Sequence, residues 1–214
     1  MRRARYISLE GVEGVGKTTQ CDLLVETLKA QGFQVLRTKE PGIQLLPITM
    51  ALRSMMLDSQ YNDELTVIAR ELISQTIRSI HIEKLVIPAR STYDYIVQDR
   101  GVLSGLSYGW ACGNDIEWLR DMALRVSKVN KLYDIYDDIV VLDGNVASGL
   151  SRAQACKQEF KAGDAMEAKG VSFLDQVSRN MRLLSSEFPV RVVRVDGLDI
   201  QQVHDEIKKV LKLH

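Results

Sequence analysis

The chain has 214 residues, 45% of them hydrophobic and 26% charged. That is the composition of a globular protein with a full core, and the length lies within reach of one α/β domain. Its 28 Lys and Arg balance its 28 Asp and Glu, so no overall positive field gathers nucleic acid and such a partner is not expected. The basic start, Met1-Arg2-Arg3-Ala4-Arg5, does not read as a signal peptide, because Glu10 and Gly11 cut short the apolar Ile7–Leu9. No apolar run approaches membrane-spanning length. Three cysteines (Cys21, Cys112, Cys156), far apart and without metal-ligand spacing, suggest reduced thiols in a cytoplasmic protein.

In chain order, short β-branched runs alternate with helix-period segments. Strands are expected at Tyr6–Glu10, Phe33–Thr38, Tyr95–Asp99, Ile139–Asp143 and Val190–Val195. They are apolar for most of their length, as strands buried on both faces are. Helices are expected at about 17–31, stopped by Gly32, then at 48–57 and at 63–87, the last ending before Pro88. Further helices are expected at 102–111, 116–129, 146–157, 172–187 and 200–211. His81 reads as structural, and His204 and His214 as surface residues. The alternation predicts an α/β three-layer sandwich, a five-stranded, mostly parallel sheet between helices, in one domain spanning 1–214. Ligands of such sheets sit at the carboxyl ends of the strands.

Directly after the first strand comes Gly11-Val12-Glu13-Gly14-Val15-Gly16-Lys17-Thr18-Thr19. It matches G-x-x-x-x-G-K-[ST] in the strand–loop–helix context that the P-loop requires. The glycines let successive backbone N–H groups point at phosphate oxygens, and the helix start adds its positive dipole end. Lys17 then neutralises β- and γ-phosphate charge, and the Thr18 hydroxyl ligates Mg²⁺. The motif by itself implies triphosphate binding and leaves open kinase, GTPase and motor ATPase. The segment Asn130-Lys131-Leu132-Tyr133-Asp134 has one residue too many for a guanine-reading N-K-x-D.

The residues around the loop resemble the thymidylate kinase family. Ile7 to Gln20 looks like the family's opening, with an acidic residue inside the loop; Thr38-Lys39-Glu40-Pro41-Gly42 is similar to T-R-E-P-G-G. Leu52-Arg53-Ser54-Met55-Met56-Leu57 resembles L-R-x-x-L-L, and Arg78 lies ten residues before Pro88-Ala89, as the family's base-reading arginine does. Asp99-Arg100 with Ser104 and Tyr108 resembles D-R-Y-x-x-S-x-x-A-Y, and Leu142-Asp143 with Gly149-Leu150-Ser151-Arg152 the approach to a lid at about 153–172. The resemblance covers almost the whole chain in order. It implies a Mg·ATP-dependent deoxynucleoside monophosphate kinase, acting on dTMP or a related pyrimidine nucleotide, in the form of a homodimer. Arg53 and Arg100 would clamp the acceptor phosphate, with Asp99 orienting Mg²⁺ or its waters beside Thr18. Glu13 would lie near the sugar 3′-hydroxyl, Tyr108 where a ribose 2′-hydroxyl would clash, and Ser104 on the same acceptor side. Glu40 would orient neighbouring arginines or metal-bound water.

Several family positions are altered. Lys39 replaces an arginine, the stacking aromatic falls at Ser74, a polar position at Gly105 and the glutamine after the tyrosine at Gly109. Arg78 is what remains of the base-reading set, with Trp110 as a candidate replacement for the ring. The family carries a catalytic arginine in the P-loop or the lid. Here the loop has Val15, and the lid has Lys157, Lys161 and Lys169 with Asp164-Ala165-Met166-Glu167. Arg152 with Lys161 are therefore the expected substitutes. A binding-only P-loop protein with little turnover, and a kinase acting on a modified base in DNA, stay open beside the leading reading.

Overall fold

The structure, a computed structural model, describes residues 3–156 and 165–213; for residues 133, 152–156 and 167 it describes the backbone alone. Five strands, β1 (Arg5–Glu10), β2 (Val35–Lys39), β3 (Tyr95–Asp99), β4 (Asp138–Asp143) and β5 (Val190–Arg194), form one sheet in the order β2-β3-β1-β4-β5. Every pairing is parallel. Parallel neighbours need crossover helices. Among the described residues these are α1 (Lys17–Ala30), α2 (Pro47–Leu57), α3 (Val67–His81), α4 (Ile87–Thr92), α5 (Val102–Ala111), α6 (Ile116–Ser127), α7 (Val146–Cys156), α8 (Gly170–Ser185) and α9 (Ile200–Leu211). The expected three-layer P-loop architecture is present, with an all-parallel sheet.

Successive strand residues face opposite sides, and the core divides accordingly. Ile7, Val97 and Val140 meet Leu24 and Leu28 of α1 and Ile207 and Leu211 of α9 in one cluster. Tyr6, Ile96 and Ile139 meet Leu103 and Leu106 of α5, Leu119 of α6 and Leu184 of α8 in the other. The sheet is thus covered on both faces, which is why its strands read as continuous apolar runs. Helix starts are capped where the sequence supplies an oxygen. Thr66 accepts from the Ala69 N–H, Asp115 from that of Trp118, and Asp199 completes a capping box with Gln202.

Three expectations are corrected. The long helix expected at 63–87 begins at Val67, because Thr66 caps it, and it does not stop before Pro88. Proline lacks an N–H and its ring collides with a carbonyl one α-turn back. Here a π-helical turn over Ile82–Val86, in which the Ile87 N–H reaches the Ile82 carbonyl, widens the coil so that α4 carries Pro88 in its first turn. His204 is buried, not a surface residue, and its Nε2 shares a 2.9 Å hydrogen bond with Thr27 Oγ1 of α1. The cysteines behave as apolar packing expects at Cys21, buried in the first cluster, whereas Cys112 borders a cavity; the Cys156 side chain lies outside the described residues. Among the described residues no helix is long and apolar enough to cross a membrane.

Leu24 is fully buried between α1 and the sheet. Leu24→Ala is expected to lower stability by about 2–5 kcal/mol, read as a lower urea midpoint with an unchanged slope.

Candidate active site

The chain leaves β1 at Glu10 and enters α1 at Lys17, so the glycine-rich loop fills the gap at the carboxyl edge of the sheet. Gly14 and Gly16 take φ of 67° and 102°, values that admit glycine readily. Gly14 also needs its missing side chain for space: a Cβ there would land on the Gly149 carbonyl of α7, and one on Gly149 would come within 2.6 Å of the Glu13 carbonyl. The α1 N-terminus has no side-chain cap and no acidic residue in its first turn, which leaves its N–H groups to an anion. Val12 and Val15 anchor the loop in the core, and Thr19 is exposed. Lys17 is buried and donates to the Val12 carbonyl at 2.6 Å. Burial, then the neighbouring Arg100, lower its pKa to about 8 against the pull of Glu13 and Asp99.

Register sets the second element of the site. Leu9 pairs with Asp99 across β1 and β3, so Asp99 stands level with the start of the loop. Its Oδ2 accepts from Thr18 Oγ1 at 2.6 Å and lies 3.5 Å from Arg37 Nη2. A hydroxyl and a carboxylate side by side are hard oxygen donors, the set that suits Mg²⁺ completed by phosphate oxygens and waters. Among the described residues no cluster of three or more His, Cys, Asp or Glu could hold a metal by itself. The next residue, Arg100, sits in the left-handed region at φ 62°, a conformation that costs a non-glycine residue roughly 1–2 kcal/mol. That twist turns its guanidinium back over the loop. There it donates to the Gly11 carbonyl at 3.0 Å, pairs with Glu13 and lies 3.5 Å from the Tyr108 hydroxyl. Burial opposes its charge, but Tyr108, Glu13 and Asp99 outweigh burial and raise its pKa.

Beyond the loop opens a cavity of about 480 Å³. All seven residues expected on the acceptor side (Glu13, Glu40, Arg53, Arg78, Arg100, Ser104, Tyr108) line it. Arg53, from α2, donates to the Pro41 carbonyl at 3.0 Å. Glu40, just past β2, is buried between Arg78 Nε at 3.0 Å and His81 Nδ1 at 3.2 Å. Burial works to raise its pKa, but Arg78 and His81 prevail and hold it at about 2. His81 is fixed in turn by Thr38 Oγ1, 2.6 Å from its Nε2. Ser104 reaches the cavity wall, but its hydroxyl donates to buried Glu10, which also accepts its N–H at 3.1 Å. Tyr108 packs edge-on against Phe173 under the Arg100 guanidinium.

Trp110 does not replace the missing ring. It turns away from the cavity and packs with the second core cluster, because it lies two residues past Tyr108 on α5 and so faces the other side of the helix. The lid is partly described. Arg152 belongs to α7 with its side chain outside the described residues, and Lys157, Lys161 and Asp164 lie outside them altogether. Past that segment, the Ala165 N–H donates to the Leu57 carbonyl at 2.9 Å, and Met166 and Lys169 border the cavity. Sequence reading overlooked Glu10 and the pair Glu71 and Gln75. The signal was available in α3, where Glu71, Gln75 and Arg78 recur at helical spacing and are all buried.

The family profile described as thymidylate kinase matches residues 9–207. A thymidylate kinase of Psychrobacter sp. (strain PRwf-1) is 33% identical over 97% of this chain and 96% of its own length. One of Geobacter sp. (strain M21) is 32% identical over 97% and 91%. A probable thymidylate kinase of Pyrococcus horikoshii is 31% identical over 98% and 97%.

Because burial lowers the Lys17 pKa to about 8, affinity for ATP is expected to be level below pH 7. Above pH 8 it should weaken by up to about tenfold per unit as Lys17 must take up a proton to bind. Calorimetric titration across pH 6.5–9.5 checks this, with Lys17→Met as the reference lacking the dependence.

Proposed function

The chain belongs to the thymidylate kinase family, and we propose on that ground that it transfers the γ-phosphoryl group of ATP to the 5′-phosphate of dTMP, giving dTDP and ADP. The observation that carries the reading is the meeting of two anion sites. Glu13 of the loop closed by Lys17 lines the same cavity as Arg53 and Arg100, and Arg100 is bonded to the loop's own Gly11 carbonyl and to Glu13.

The loop amides, the α1 dipole and Lys17 hold the triphosphate. Arg53 and Arg100 grip the acceptor phosphate and bring one of its oxygens in line with the γ-phosphorus. That oxygen forms a bond to phosphorus as the bond to the β-bridging oxygen breaks; ADP leaves, and no covalent enzyme intermediate forms. Thr18 and Asp99 would hold Mg²⁺, which supplies charge neutralisation between the β- and γ-phosphates when bound. Glu40 keeps Arg78 charged and fixed in the acceptor cavity. Tyr108 is assigned to exclude a ribose 2′-hydroxyl, and Glu13 to the sugar 3′-hydroxyl. Arg152 and Lys161 are assigned to the transition-state charge that a lid arginine would otherwise meet. Residues 1–214 are assigned to one kinase domain, proposed to act in the cytoplasm on free nucleotides and not on nucleic acid. Ile48 and Met55 on α2, with Ile68 and Leu72 on α3, are exposed at one-face helical spacing; they are proposed to pair two copies as a homodimer.

With ATP and Mg²⁺, dTMP is expected to accelerate ADP formation far above any ribonucleoside monophosphate. A chain accelerated by no monophosphate would be a binding protein and would sink the reading. Arg53→Ala should lower kcat/KM for dTMP by about 10²-fold with the KM for ATP within twofold; an unchanged kcat/KM removes Arg53 from the clamp. In light scattering, Ile68→Glu should halve the mass of the assembly.

A further inference from the structure

The cavity wall built by α3 and α5 carries a carboxylate that phosphoryl transfer does not use. Glu71 is only 7% exposed, yet it lines the cavity beside Ser74 and Arg78. Its Oε1 accepts from Gln75 Nε2 at 2.7 Å, and Gln75 accepts from Arg78 Nη1 at 3.3 Å. The charge of Arg78 is already met by Glu40, and among the described residues Glu71 enters no ion pair. A buried carboxylate half completed in this way is costly unless further donors reach it, and burial accordingly raises its pKa.

Helix α5 makes room for both α3 side chains with glycines one turn apart. A Cβ on Gly105 would run into Arg78 Nη2, and one on Gly109 would come within 2.9 Å of Glu71 Oε2. Among the described residues neither of these two atoms has a hydrogen-bond partner. Gly109 lies eight residues along from Gly101, roughly 12 Å up the helix axis from the strand end that carries Arg100. A nucleoside monophosphate spans a comparable length from its phosphate to its base edge.

Resting on the dTMP-kinase reading above, in which Arg78 holds the place of the family's base-reading arginine, we propose that Glu71 is a second base-reading residue that pairs with it as acceptor beside donor. Glu71 Oε2 accepts the hydrogen of the ring N3–H, and Arg78 Nη2 donates to the adjoining C4 carbonyl. The ligand class is a 4-oxopyrimidine with a free N3–H. A 4-aminopyrimidine is rejected twice, since its N3 carries no hydrogen and its amino group meets the donors of Arg78.

The test compares dTMP with N3-methyl-dTMP, whose methyl group removes the donor. Wild-type protein should prefer dTMP by at least about tenfold in kcat/KM. Glu71→Ala should bring that ratio within about threefold by raising the KM for dTMP, with the KM for ATP unmoved. Should Glu71→Ala fail to fold, Gly109→Ala, whose methyl displaces Glu71 Oε2, makes the same comparison. A wild-type ratio near one, or a ratio kept by a folded variant, overturns the role of Glu71 and leaves the kinase reading standing. A wild-type chain that phosphorylates neither nucleotide overturns both.

Discussion

The register of three adjacent strands sets the geometry on which the site depends. Leu9 pairs with Asp99 and Asp99 with Lys39, so β1, β3 and β2 reach the sheet edge at one level. The three segments that leave them are the glycine loop, the Arg100 turn and the Glu40 turn. Arg100 and Glu40 each follow their strand by one residue, and the glycine loop spans the gap from Glu10 to Lys17 at the start of α1. A slip of one residue in any pairing would send alternate side chains to the opposite face. It would separate Thr18 from Asp99 and Arg100 from Glu13.

A second constraint is the burial of charge. Glu40, Arg78 and His81 are all buried, Glu40 is bonded to both of the others, and His81 is further tied to Thr38 in β2. Removing Glu40 or Arg78 alone would leave the other's buried charge without its ion-pair partner, which costs more than the pair itself contributes. The set therefore ties α3 to the end of β2, and it fixes the Arg78 guanidinium at the cavity wall. Arg100 is fixed by another route, a left-handed backbone that the Leu9 and Gln98 hydrogen bonds stabilise from either side. Both arginines are oriented before any ligand arrives, which lowers the cost of ordering them on binding.

Much of this was legible in the sequence because the relevant signals are local. β-branched runs marked all five strands, and the glycine loop declared its own conformation, since Gly14 and Gly16 occupy backbone regions that other residues avoid. The path of the chain through Pro88 was not legible. A proline signals a helix end unless a π-turn precedes it, and the π-turn depends on packing that no local pattern records. Trp110 was misplaced because an aromatic near a site suggests stacking, whereas helical phase decided its direction. The burial of His204 was missed for a related reason: its partner Thr27 lies 177 residues away in the chain. The role of α3 as a polar wall could have been read from its spacing. What could not be read was that Gly105 and Gly109 exist to admit the side chains of that wall.

Gly14 and Gly149 face each other with no side chain between the phosphate loop and α7. Neither position can gain a methyl group without prising the helix off the loop, and changing both at once would only double the intrusion. The two sites are therefore locked jointly, although they lie 135 residues apart in the chain. The seat of α7 on the loop must stay bare of side chains.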